Sequence, residues 1–284
     1  MRKLLNISMM LVLLTLSQAS RAEGLWPKNS RRPGGTEGVR EMDDDRYPWI
    51  GSLSLLGYEI CSVWIVRHGL AITAKHCIQG IFGMNDTSAS DYFRPFFEVH
   101  FGPTDDRVHI KLNKIAFDSG DNDIAFLFYS SRYTENLIGL KAKVYLGEIK
   151  KNMPLITGGF PIVDGFPKPW RNRVVAHGCH ATGFSSTAKN PRYHGIFQDT
   201  SCPTWDGDSG GVVFQVAADG SVFLFGVITD TFDLLSDGLT ADPDFIRKDQ
   251  FGSYNSTMFS PLSESKDLLN LLPAEAFSRS GVEQ

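Results

Sequence analysis

Residues 202–211 read CPTWDGDSGG and run straight into the apolar segment VVF. The stretch sets an acid and a serine, Asp208 and Ser209, among three glycines. A plain turn entering a strand would explain the glycines. A reactive serine would explain the serine as well, because backbone N–H groups approach a substrate oxygen closely only where neighbouring side chains are missing. The residues elsewhere in the chain decide between these readings.

The segment after the turn, GVVFQVA (211–217), is one of many short apolar or alternating runs. A first group comprises WIGSLSLLG (49–57), EICSVWIVRHG (59–69), LAITAKHC (70–77), FRPFFEVHFG (93–102), HIKLNKIAF (109–117) and DIAFLFYS (123–130). A second comprises KAKVYLG (141–147), MPLITGGF (153–160), RNRVVAHGC (171–179), GIFQDT (195–200), GVVFQVA and SVFLFGVIT (221–229). Runs of this length, split by Gly, Pro, Asp or charge, predict strands, and their number and spacing predict an all-β sandwich or barrel architecture. SESKDLLNLL (263–272) is the one strong helix signal, residues 232–251 read as a long polar loop, and EAFSRSGVEQ (275–284) reads as a frayed tail.

The chain has 284 residues, 42% of them hydrophobic, enough for one large domain or two small ones. A formal charge of −4 gives no sign of a nucleic-acid partner. At the N-terminus, Arg2 and Lys3 precede the apolar run LLNISMMLVLLTL (4–16), and Ser20-Arg21-Ala22 offers small residues at a cleavage site. The run is too short to span a bilayer and fits a signal peptide over residues 1–22, with cleavage after Ala19 as the second choice. Removal to Ala22 takes three basic residues and no acids, moving the charge from −4 to −7. Residues 23–45, with NSRRPGGTEG and EMDDDR, read as a pro-segment or linker. No later stretch is long and apolar enough for a membrane helix, so no stable membrane association is expected.

Export changes how the four cysteines, Cys61, Cys77, Cys179 and Cys202, are read. An even count in an exported chain implies two disulfides, with three pairings open. The sequential pairing, 61–77 and 179–202, closes short loops, each worth roughly 3 kcal/mol in the chain-entropy account. No C-x-x-C pair or neighbouring histidine cluster supports a zinc site in their place.

Acyl transfer by a serine needs a base, an acid to orient the base, and N–H donors for the oxyanion. Ser209 is the candidate nucleophile, and the N–H groups of Gly207 and Ser209 are the candidate oxyanion hole. His76 is the candidate base. It follows LAIT and precedes Cys77, whose disulfide would pin its backbone. Asp123 is the candidate orienter, because an acid at the mouth of the apolar run DIAFLFY is costly unless paired. Asp118 and Asp121 have ordinary turn explanations. His100 and His109 alternate within strand-like runs and read as surface or cross-strand residues.

AITAKHC (71–77) resembles the TAAHC signature of trypsin-like serine proteases, DIAFL (123–127) resembles their DIAL, and GDSGG (207–211) resembles their nucleophile motif. The order His, Asp, Ser and the spacings of 47 and 86 residues are similar to the family's. The resemblance covers about Pro48 to Leu271. It implies a chymotrypsin-like double Greek-key β-barrel with a C-terminal helix: one barrel over 46–137 carrying His76 and Asp123, a second over 138–262 carrying Ser209, and helix and tail over 263–284. It implies a secreted serine endopeptidase, extracellular or periplasmic, monomeric, acting on proteins or peptides without metal or cofactor. CPTWDGDSGG and TGGFP (157–161) are similar to patterns in bacterial relatives of the glutamyl endopeptidases, in which Cys179 would pair with Cys202. A protease-fold adhesin or decoy with a silent triad is the alternative from another class.

The chain also departs from that family. No IVGG-like stretch precedes Pro48, so Asp208 is expected to pair with an internal cation, Arg171 or Arg173, rather than with a new N-terminus. Pro203 falls where trypsin carries its pocket aspartate, and Ile228 where glutamyl endopeptidases carry a pocket histidine. The resemblance therefore implies a neutral, mildly polar substrate pocket formed by Thr204, Ile228 and Thr229, with Asp230 at its rim. Gly252 and Tyr254 would close its far wall. The expected mature N-terminus is Glu23. The intact mass of the exported protein checks it, and a mass that retains residues 1–22 would exclude a cleaved signal peptide.

Overall fold

The apolar runs become strands in a computed structural model that describes residues 39–41, 47–82, 92–101, 108–120, 122–130, 142–160, 175–190, 193–200, 202, 204, 207–231 and 257–279. The strands of the first half are β1 (Val39–Glu41), β2 (Ile50–Leu55), β3 (Tyr58–Arg67), β4 (Leu70–Thr73), β5 (Phe97–Phe101), β6 (Val108–Phe117) and β7 (Ala125–Tyr129). Those of the second are β8 (Ala142–Tyr145), β9 (Pro154–Gly159), β10 (Val175–Asn190), β11 (Tyr193–Thr200), β12 (Val212–Val216), β13 (Val222–Thr231), β14 (Thr257–Pro261) and β15 (Phe277–Ser278). Two short helices are α1 (His76–Phe82) and α2 (Lys266–Leu271). Among the described residues no helix is long and apolar enough to cross a membrane.

Strands β2 to β7 close an antiparallel barrel in the order β2-β3-β4-β7-β6-β5. Strand β6 alternates buried and exposed side chains in its middle, as one wetted face requires. Strand β2 is buried at all six positions. The β2–β3 hairpin turns on Leu56 and Gly57, both at positive φ (54° and 82°), as a two-residue type I′ turn demands.

In the second half, neighbours run β9-β10-β11-β14-β13, and β12 pairs with both β13 and β9. The pairing path therefore also returns to its first strand. In each half the six strands stand in the same order: first, second, third, sixth, fifth, fourth. Strands β8 and β15 add parallel pairings beyond this ring, β8 to β13 and β15 to β8.

Four local expectations change. Residues after Thr73 turn into helix α1 instead of continuing the strand. The segment read as linker contributes β1, which pairs with β10. Strand β10 extends to Asn190, well past the run that announced it. Finally, the start of the expected frayed tail is ordered, because Phe277 pairs with Val144. The polar loop at 232–251 lies outside the described residues, except that β13 ends just before it.

One apolar cluster crosses between the halves. Trp49 and Tyr47 meet Phe214 edge-on, with ring centroids 5.3 and 5.2 Å apart, and all three are buried. Leu262 and Leu268 join the same cluster from the C-terminal segment. A second cluster, including Phe225, Ile228 and Phe259, fills the second half.

A polar knot fastens the C-terminal segment to the loop before β7. Asp118 is buried, and its carboxylate accepts from Gly120 N (3.2 Å), Asn122 Nδ2 (3.1 Å) and the Ser265 hydroxyl. Asn122 Nδ2 also donates to the Glu264 carbonyl at 3.0 Å. Ser265 caps α2, accepting from Leu268 N at 3.2 Å. The turn explanation for Asp118 is thus incomplete, since its main partner is far away in sequence. Asp118→Ala strands buried donors and should cost about 3 kcal/mol. The shift of the urea unfolding midpoint measures it, and an unchanged midpoint would remove the knot's structural role.

Candidate active site

Strand β4 ends at Thr73, and the chain closes its first helical turn through Cys77 N to Ala74 O (3.2 Å) and Ile78 N to Lys75 O (3.1 Å). His76 therefore stands at the head of α1. The Cys61–Cys77 disulfide ties that helix to β3. Asp123 sits just before β7, 4% exposed. Its Oδ2 lies 2.7 Å from His76 Nδ1, and its Oδ1 accepts the His76 backbone N–H at 2.8 Å. A carboxylate can only accept, so Nδ1 carries the ring proton and Nε2 presents a lone pair. Nε2 lies 3.7 Å from Cys77 Sγ, which is disulfide-bonded and has no proton to give. The imidazole is 22% exposed.

Asp123 is also held from behind. Its backbone N–H donates to Ser260 Oγ at 3.2 Å, and Ser260 Oγ lies 3.1 Å from Thr229 Oγ1. Strands β13 and β14 of the second half thereby position an acid of the first.

The GDSGG turn docks on the first barrel. Gly207 and Gly210 have φ of +92° and +84°, where side chains are strained. A Cβ on Gly210 would lie 2.2 Å from Thr73 Oγ1 and 2.3 Å from Ser62 O. The Ser209 carbonyl accepts from Ser62 N at 2.8 Å, and the Gly207 carbonyl accepts from Ser62 Oγ at 2.7 Å. Ser62 Oγ in turn accepts from Phe160 N at 2.6 Å, and Thr73 Oγ1 donates to Ser62 O at 2.7 Å. The turn is thus seated on Ser62 through the Gly207 and Ser209 carbonyls and on Thr73 through Gly210.

Within the turn, Gly210 N donates to Ile228 O and Gly211 N to Asp208 O. The N–H groups of Gly207 and Ser209 donate to nothing among the described residues. They are the two donors left for an incoming oxygen. The Ser209 hydroxyl is partly exposed and makes a long 3.4 Å hydrogen bond to Thr229 O, which a better acceptor replaces at little cost.

Asp208 is buried, its carboxylate set against Gly159, where a Cβ would come within 2.4 Å of Oδ1. Its expected partners Arg171 and Arg173 lie outside the described residues. Cys179 pairs with Cys202, as the sequential pairing expects, and fastens β10 to the segment before the turn. Thr204, Ile228 and Thr229 are all buried. Thr204 Oγ1 meets Thr257 Oγ1 at 3.2 Å, Thr229 is engaged with Ser260, and Ile228 belongs to the second core cluster. None of the three side chains is exposed. The Asp230 side chain, Pro203, Gly252 and Tyr254 lie outside the described residues.

Sequence reasoning missed Ser62 and Ser260. Ser62 carried a usable signal: a serine inside the apolar strand EICSVWIV must be hydrogen-bonded if buried. Ser260 stands in a segment that offered none.

No family model matches the sequence, and no curated protein matches it significantly.

The turn's steric demand is testable by comparison with Gly220, which has φ +80° but open space around its Cβ. Gly220→Ala should cost about 1 kcal/mol for the backbone alone. Gly210→Ala adds collisions with backbone and should cost several-fold more in urea unfolding. Equal costs would mean that the docking of the turn on Ser62 and Thr73 is loose.

Proposed function

We propose that the chain is a serine hydrolase of the trypsin-like type, an exported endopeptidase with a chymotrypsin-like double Greek-key fold. The carrying observation is the pair of hydrogen bonds that His76 donates to Asp123, one from the ring and one from the backbone, together with a glycine-flanked serine turn docked on Ser62 and Thr73. The repeated strand order of the two halves supports the fold reading. Two disulfides fit an oxidising compartment, in keeping with the N-terminal export signal.

In this reading His76 Nε2 takes the Ser209 hydroxyl proton as Oγ bonds to the scissile carbonyl carbon. The carbonyl π electrons move onto oxygen, which the N–H groups of Gly207 and Ser209 receive. Each such donor contributes a few kcal/mol to transition-state stabilisation. Asp123 keeps the proton of neutral His76 on Nδ1 and stabilises the imidazolium, itself remaining ionised. Collapse breaks the C–N bond, and His76 returns the proton to the leaving amine. Water then attacks the Ser209 ester by the same route, and the acid product leaves with Ser209 restored. No metal, cofactor or nucleic acid enters this scheme, and a monomer suffices.

A fluorophosphonate probe tests the proposal on the purified mature protein. One adduct by intact mass is expected, absent in Ser209→Ala, and Asp123→Asn should slow peptide hydrolysis by about 10^4-fold. A wild-type protein that takes up no probe, even after limited proteolysis, would favour the silent binding protein on the same fold.

A further inference from the structure

We propose that Glu98, His100 and His109, on the outer face of β5 and β6, form a binding site for a divalent transition-metal ion of the zinc class. His100 and His109 are register partners across the two strands, and Glu98 lies two residues from His100, on the same face of β5. Glu98 Oε2 lies 3.6 Å from His100 Nε2 and 3.8 Å from His109 Nδ1. The three donor atoms all fall within 4.8 Å of one another. Metal–ligand bonds of about 2.0–2.1 Å in tetrahedral geometry put ligand atoms about 3.4 Å apart, so the observed gaps close with small side-chain movements.

The carboxylate sits between the two imidazoles and bears on His100. The two ring centroids lie 4.1 Å apart, with the planes tilted by 43°. Burial, and then the neighbouring His109, push the His100 pKa below its ordinary value. Ser54 Oγ lies 3.2 Å from His100 Nε2 and 3.4 Å from the Glu98 carbonyl. An ion at Nε2 would take the hydroxyl's place there, and Ser54 would keep the carbonyl. Glu59, held by Ser52 Oγ at 3.1 Å, adds a second negative charge acting on His100.

His109 is 60% exposed and Glu98 29%, so an ion enters from solvent and retains a position for water. Two imidazoles and one carboxylate favour zinc, cobalt, nickel or copper over calcium and magnesium, which take oxygen ligands. The site shares no residue with Ser209, His76 or Asp123. A bound ion would cross-link β5 to β6 and serve stability.

The experiment uses the mature chain carrying Ser209→Ala, stripped with chelator and titrated with Co²⁺ alone, followed by displacement with Zn²⁺. One equivalent is expected, with saturating Zn²⁺ raising the thermal midpoint by about 5 °C. His109→Ala and Glu98→Gln should each weaken binding at least about tenfold, the loss that even an outer-shell partner costs. The exposed His180→Ala should bind as the parent does. Circular dichroism of both variants verifies folding, which the exposed positions should preserve. Absence of stoichiometric binding, or binding unmoved by both ligand substitutions, would overturn the proposal whatever the fate of the serine chemistry.

Discussion

The site depends on Ser62. Its N–H, its carbonyl and its hydroxyl are all engaged, and three of its four bonds reach the second half of the chain: to Ser209, Gly207 and Phe160. The fourth, from Thr73, locks the neighbouring strand that leads to His76. A buried hydroxyl must be satisfied, and this one is satisfied only when both halves are in place. Assembly of the serine turn and docking of the halves are therefore one event. The glycines follow from the same contact, since Gly210 lies too close to Ser62 and Thr73 to carry a side chain.

Asp123 presents the complementary case. A buried carboxylate is costly in isolation, and here it is offset by two hydrogen bonds from His76, with Ser260 fixing the backbone behind it. The histidine comes from the β4–α1 junction, the acid from the entry to β7, and the serine from β14. The Asp118 knot then ties the loop carrying Asp123 to the C-terminal helix. Two disulfides act at the same places, one holding α1 to β3 and one holding the approach to the serine turn. The pieces that position reactive groups are cross-linked, while the apolar cores supply the bulk of the packing.

The metal-site proposal arises from a different property of the barrel. Strand pairing sets His100 directly opposite His109, although the two lie on different strands. His100 had been expected to be a surface or cross-strand residue. It is cross-strand but buried, and that burial pushes its pKa down while Glu98 and Glu59 act the other way.

The sequence by itself determined most strands of both halves, though not β1, β14 or β15, the cysteine pairing that loop lengths favour, and His76, Asp123 and Ser209 as residues to watch. These were legible because they rest on local signals: period-two apolar runs, glycines around a serine, an acid opening a buried strand. The tertiary structure alone decided how Asp123 meets His76 and where the serine turn docks. It decided that Ser62 and Ser260 serve the site, that Asp118 binds across the molecule, and that the chain turns helical at His76. It also decided that Thr204, Ile228 and Thr229 are buried. Such facts depend on which strands become neighbours. That choice is made by closing the barrel and filling the shared core, and no window of adjacent residues contains it.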